Sequence, residues 1–76
     1  MIIVTGASRG LGQAIAERLI EKGEDVIGLA RSVNGMSFDA IECDVSDYLS
    51  VKNAAREVKR MKEPVKAFIN AAGVAS

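Results

Sequence analysis

The chain opens on MIIVTGASRGLG, and few folds accommodate that order of residues. Ile2, Ile3 and Val4 form an apolar, β-branched run that reads as a buried strand, and the run breaks at Gly6 into a glycine-rich turn leading to helical periodicity. Gly6, Gly10 and Gly12 are spaced G-x3-G-x-G. At such positions the backbone turns tightly and approaches a ligand where a Cβ would collide, while the helix start that follows offers unpaired N–H groups and partial positive charge. Strand, turn and helix together predict an anion site, most simply for a pyrophosphate.

Length and charge narrow the partner. At 76 residues the chain is at most one small domain, and a chain of that size buries only about 60% of its unfolded surface. Ten Lys and Arg balance ten Asp and Glu, without a clustered basic stripe, which excludes a nucleic acid or an anionic membrane as the natural partner and favours a small molecule. The single cysteine, Cys43, has no internal partner and the chain has no histidine. A disulfide scaffold, a zinc site and a His-based triad are thereby disfavoured, and a reducing cytosol fits. The apolar start lacks a basic flank and breaks at Gly6, unlike a signal peptide or a membrane span, so a cytoplasmic location is expected.

Further along, Leu11, Ile15, Leu19 and Ile20 recur at helical spacing and predict an apolar stripe for a sheet to cover, with Gly23 as the stop. Residues 25–30, DVIGLA, are a second apolar run of strand length, so the arrangement is βαβ with parallel, right-handed connection. Residues 31–37, RSVNGMS, carry the turn signal Asn34-Gly35 and predict a short loop. A brief third strand follows over residues 40–43. Ser46 or Asp47 is then the cap of a helix whose apolar side uses Leu49, Val51, Ala54, Ala55, Val58 and Met61, with basic residues at its C-terminal end. Pro64 lies past the stop, and residues 65–69 predict a fourth strand ending in Asn70-Ala71-Ala72-Gly73.

TG-x3-G-x-G after the first strand, Asp44-Val45 after the third and NAAG after the fourth resemble the short-chain dehydrogenase/reductase family, in that family's order and approximate spacing. The resemblance runs through essentially the whole chain. It implies an α/β, Rossmann-type domain with a parallel sheet of about four strands in the order 3-2-1-4, helices on both faces, NAD(P) binding, and hydride transfer to or from carbonyls and alcohols. The resemblance places Gly6, Ser8, Arg9, Gly10, Leu11 and Gly12 at the dinucleotide phosphates and adenosine ribose, with Gly12 also admitting close packing of helix on strand. Asp44 resembles the residue that accepts from the adenine amino group, with Val45 against the ring; capping of the helix is the other reading of Asp44. Asn70, Ala71 and Gly73 resemble the loop near the ribose and nicotinamide, Asn70 being equally readable as structural. The family also implies a homo-oligomer for the complete protein.

Cofactor choice follows from one position. In this fold an acidic residue roughly 20 positions past the glycine turn binds the ribose 2′-hydroxyl, whereas arginine accommodates a 2′-phosphate. This chain has Ala30-Arg31-Ser32 there and a second arginine, Arg9, inside the turn. NADP(H) is therefore expected over NAD(H), through Arg31, Ser32 and Arg9, against the alternative that both arginines are solvated surface charges.

The family's catalytic pair is Tyr-x3-Lys, and Tyr48 with Lys52 meets that pattern literally. We do not assign it, because Tyr48 stands in the first turn of the helix after the third strand, out of reach of the nicotinamide. No catalytic residue is assigned, and the expectation is an N-terminal cofactor half of a longer reductase whose Ser, Tyr and Lys lie downstream. A self-standing, non-catalytic dinucleotide-binding module is the alternative. The link between the second and third strands is shorter than the helix many members place there, so one sheet face is expected to be thinly covered.

Overall fold

A computed structural model describes residues 1–71. The elements are β1 (Ile2–Thr5), α1 (Gly10–Glu21), β2 (Val26–Ala30), β3 (Ala40–Glu42), α2 (Tyr48–Arg60) and β4 (Ala67–Asn70). The four strands form one sheet in the order β3-β2-β1-β4, parallel throughout. Ile3 lies opposite Ile27 on one side and Phe68 on the other. This is the Rossmann-like α/β arrangement expected from the sequence.

β1 is the centre because its residues are apolar on both faces, as a strand covered by helices on each side must be. Met1 and Ile3 point into one cluster with Ile27, Leu29, Cys43 and Ala54 of α2. Ile2 and Val4 point into the other, with Val26, Ala7 and Ala16 of α1. Burying an Ile or Val side chain of this kind contributes about 1.5–3 kcal/mol.

The helices meet the sheet through small residues. In α1 the fully buried positions are Gly12 and Ala16, with Leu19 packed beside them, whereas Leu11 and Ile20 of the expected stripe are exposed. The correction has a steric cause: with Gly and Ala at the contact, the helix backbone lies close to the sheet and the longer chains on either side are turned outward. In α2 only Ala54 is buried and Val58 half-buried; Leu49, Val51 and Met61, expected on the apolar side, are exposed. α2 starts at an Asp47 cap, whose Oδ1 accepts from the Leu49 N–H at 3.1 Å. It ends where Lys62 turns the chain through φ 56° just ahead of Pro64. Gly23 likewise takes the left-handed conformation, φ 86°, just past α1.

The loop between β2 and β3 turns at Asn34-Gly35 as expected, but it does not leave the sheet thinly covered. Met36 and Phe38 fold back onto the α1 side of the core, over Gly28. A Cβ on Gly28 would sit 2.8 Å from Ala7 Cβ and 3.0 Å from Phe38 Cε2. Glycine in the middle of a strand, ordinarily unfavourable, is here what lets two loops share one space.

The opposite end of the sheet is tied by the chain start. The Met1 amino group donates to the Pro64 carbonyl at 2.7 Å, the Lys66 N–H donates to the Met1 carbonyl at 2.7 Å, and Lys66 Nζ pairs with Glu24 at 2.8 Å. These bonds set the register of β4 beside β1.

Gly28→Val is expected to destabilise the fold by about 1–3 kcal/mol, the usual cost of overpacking a filled core. Urea unfolding monitored by circular dichroism checks this, and an unchanged midpoint would show that Met36 and Phe38 do not hold that space.

Candidate functional site

All four strands are parallel, so their C-terminal ends lie along one edge of the sheet, and the segments leaving them are neighbours there. A cleft of about 890 Å³ runs along that edge. Gly6, Ser8, Arg9, Gly10, Leu11 and Gly12 line it after β1, Arg31 and Ser32 after β2, Asp44, Val45 and Ser46 after β3, and Ala71 after β4. The structure thus brings together every predicted site residue except Asn70 and Gly73; Gly73, with Ala72, lies outside the described residues.

The turn after β1 is held in shape by three constraints. The Ala7 N–H donates to the Leu29 carbonyl at 3.3 Å, and the Ala7 side chain is buried in the core beneath Gly28. Gly10 opens α1 at φ 62°, a conformation with little steric cost only for glycine. Gly12 then packs directly on the turn: a Cβ there would run into the Gly6 carbonyl, with the Gly6 carbon at 2.7 Å and the Thr5 oxygen at 3.2 Å. The expectation that Gly12 admits close packing is borne out, the immediate neighbour being the Thr5-Gly6 backbone.

The first turn of α1 has no side-chain cap and no acidic residue. Its leading N–H groups therefore keep their hydrogen-bonding capacity and the positive end of the helix dipole is uncompensated. Ser8 and Arg9 are exposed alongside. Among the described residues neither Arg9 nor Arg31 enters a salt bridge, so both guanidinium groups at this edge keep their donors available.

Asp44 is half-buried at the end of β3. Its Oδ1 accepts two hydrogen bonds from Ser46, at 2.7 Å from the hydroxyl and 3.0 Å from the backbone N–H. Its own N–H donates to Ser50 Oγ at 2.8 Å. The Ser46 bonds, aided by the positive charge of Arg31, hold the Asp44 carboxyl below its ordinary value of 3.8. Because the folded value is the lower one, the stabilisation from this turn is present above the ordinary value and is lost as the pH falls through the folded one. Asp44 does not cap α2; Asp47 does, and Asp44 instead closes a turn with Ser46 at the edge of the cleft.

Asn70 is placed differently from the other candidates. Its Oδ1 accepts from Thr5 Oγ1 at 2.7 Å, joining the ends of β1 and β4, and it does not line the cleft. Thr5 is buried, so this bond satisfies a polar group in the core. Tyr48 is 76% exposed at the start of α2 and, with Lys52, is not among the lining residues. The candidate set lacked four lining residues, the apolar Leu29, Ala30 and Cys43 at the strand ends and Ser46, read from the sequence only as a possible cap; the signal for Ser46 was Asp44-x-Ser46, a spacing that closes a side-chain turn. Among the described residues there is no cluster of His, Cys, Asp and Glu able to hold a metal, and no helix long and apolar enough to cross a membrane.

A parallel sheet in the order 3-2-1-4, with a glycine turn and an uncapped helix start at the C-terminal edge, defines a Rossmann-like α/β architecture. The chain belongs to the short chain dehydrogenase family of oxidoreductases, matching it over residues 1–76. It is 35% identical to the 3-oxoacyl-[acyl-carrier-protein] reductase FabG of Escherichia coli, over 95% of this chain and 33% of that protein. Among solved structures, the ligand-free aldohexose dehydrogenase of Thermoplasma acidophilum superimposes with a TM-score of 0.84 at 38% identity, over 99% of this chain and 30% of that one. A 4-hydroxyisoleucine dehydrogenase complexed with NADH and succinate gives 0.85 at 27% identity, over 97% of this chain and 35% of that one. The chain therefore spans about a third of the length of these relatives.

Gly12→Val is expected to separate the first turn of α1 from the Gly6 carbonyl. Dinucleotide affinity should fall by more than about tenfold, since each charge-assisted hydrogen bond lost is worth about 1.5 kcal/mol or more. Titration calorimetry checks this; unchanged affinity would show that the ligand does not sit on these amides.

Proposed function

We propose that this chain is the NADP(H)-binding N-terminal part of a short-chain reductase, which in complete form moves hydride between NADP(H) and a carbonyl or alcohol substrate. The observation that carries the reading is the convergence, on one cleft, of an uncapped helix start, two guanidinium groups that make no salt bridge among the described residues, and a carboxylate held in its ionised form. The residues fit the dinucleotide in sequence along the sheet edge. The amides of the glycine turn and of α1 hold the pyrophosphate, Arg31 and Ser32 with Arg9 hold the phosphate on the adenosine ribose, and Asp44 with Val45 receives the adenine. Ala71, beyond β1, lines the side of the cleft towards the nicotinamide, with Gly73 assigned to the same loop. When bound, the cofactor supplies or accepts the hydride; the described residues bind and orient it.

Asn70 acts in this reading through Thr5, fixing the spacing of the two strand ends between which the dinucleotide crosses. The preference for NADP(H) rests on this chain's own residues. One relative is named as a complex with NADH, and what separates the present chain is arginine where an NAD-binding site of this fold has a carboxylate. Among the described residues no tyrosine or lysine lines the cleft, so no acid–base role is assigned to Tyr48 or Lys52. A cytoplasmic location and a homo-oligomeric complete protein complete the proposal.

Arg31→Asp should weaken NADPH binding by about 10- to 100-fold, the worth of a charge-assisted phosphate contact, while leaving NADH affinity equal or improved. Fluorescence titration with both reduced cofactors checks this, and equal losses would overturn the assignment of Arg31 to the 2′-phosphate. The coding sequence downstream of Ser76 should encode a serine and a Tyr-x3-Lys pair; a stop codon there would instead favour the non-catalytic module.

A further inference from the structure

The Asp44 carboxylate is asymmetric. Oδ1 is taken by Ser46, which donates both its hydroxyl at 2.7 Å and its backbone N–H at 3.0 Å. Oδ2 makes no hydrogen bond among the described residues, and Asp44 lines the cleft. The segment around it is closed at two further points, by the Asp47 N–H to the Asp44 carbonyl at 3.0 Å and by the Asp44 N–H to Ser50 Oγ at 2.8 Å. A free aspartate on a surface rotates about two side-chain bonds and offers either oxygen. Here the backbone is pinned by α2 and one oxygen is doubly occupied, so rotation would break two bonds to an ionised group.

We propose that Ser46 is a positioning residue for base recognition: by engaging Asp44 Oδ1 through hydroxyl and N–H together, it presents Oδ2 as the acceptor for the exocyclic amino group of adenine. This rests on the reading of the cleft as a dinucleotide site with Asp44 at the base. Ser46 makes no contact with the base in this scheme. It reduces the conformational freedom that Asp44 would otherwise lose on binding, and so contributes to discrimination between an amino group and an oxygen at that position of the purine. The hydroxyl matters more than the backbone bond for testing, because it alone is removed by substitution.

The test compares NADPH with its hypoxanthine analogue, in which an oxygen replaces the amino group, by fluorescence titration of the full chain. The unsubstituted protein should prefer NADPH, and Asp44→Asn should abolish the preference. Ser46→Ala should reduce it by about three- to tenfold, the scale of one ordinary net hydrogen bond, with affinity for the analogue unchanged. The isosteric pair Ser46→Thr and Ser46→Val differs by the hydroxyl alone; threonine should retain the preference and valine lose it, which keeps the test decisive where alanine disturbs folding. Equal weakening of both ligands by Ser46→Val, or retention of the preference, would overturn the role of Ser46. Absence of any preference in the unsubstituted protein, or its survival in Asp44→Asn, would instead overturn the placement of adenine at Asp44.

Discussion

The seating of one piece of backbone on another governs this structure. The first turn of α1 rests on the carbonyls of Thr5 and Gly6 with no side chain between them, because position 12 is glycine. That contact brings the helix start to the end of the central strand and aims its free amides over the sheet edge. It also explains the small residues along the inner side of α1, since a helix held this close has room for Ala16 but turns Leu11 and Ile20 outward. The helix start is thus held in place by backbone packing alone.

Around that seat, the chemistry is distributed by topology. A parallel sheet delivers the ends of its strands to one edge, where the segments contribute different groups: amides and the Arg9 guanidinium after β1, the Arg31 guanidinium after β2, and the Asp44 carboxylate after β3. The chain carries no net charge, so what attracts a polyanion is local. Two arginines and a helix dipole outweigh one carboxylate, one oxygen of which is taken by Ser46. Donors thus gather near β1 and β2, and the acceptor stands near β3.

The strands and turns were legible in the sequence from local signals, β-branched runs and glycines at fixed spacing, whereas the strand order and the lining of the cleft came from the family resemblance that those motifs carry. Which apolar side chains face inward was not. Leu49, Val51 and Met61 have the helical periodicity of a buried face, yet α2 meets the sheet chiefly through Ala54 and Val58. Periodicity tells which residues share a face, not how closely the face is approached. Met36 and Phe38 were hidden for the opposite reason: they lie in a polar, turn-rich loop, and their partner is the missing side chain of Gly28, which no periodicity reveals. The pairing of Thr5 with Asn70 joins residues far apart in the chain, and neither has a local pattern that announces the other.

Leu29, Cys43 and Val45 line the cleft and, on their other side, an apolar groove bounded by Ile3, Val51, Val58 and Phe68. They form a partition one side chain thick. Leu29 and Cys43 are both buried, and a close-packed interior has no slack to absorb a change of volume, so a larger side chain at position 43 would narrow the cleft and the groove together.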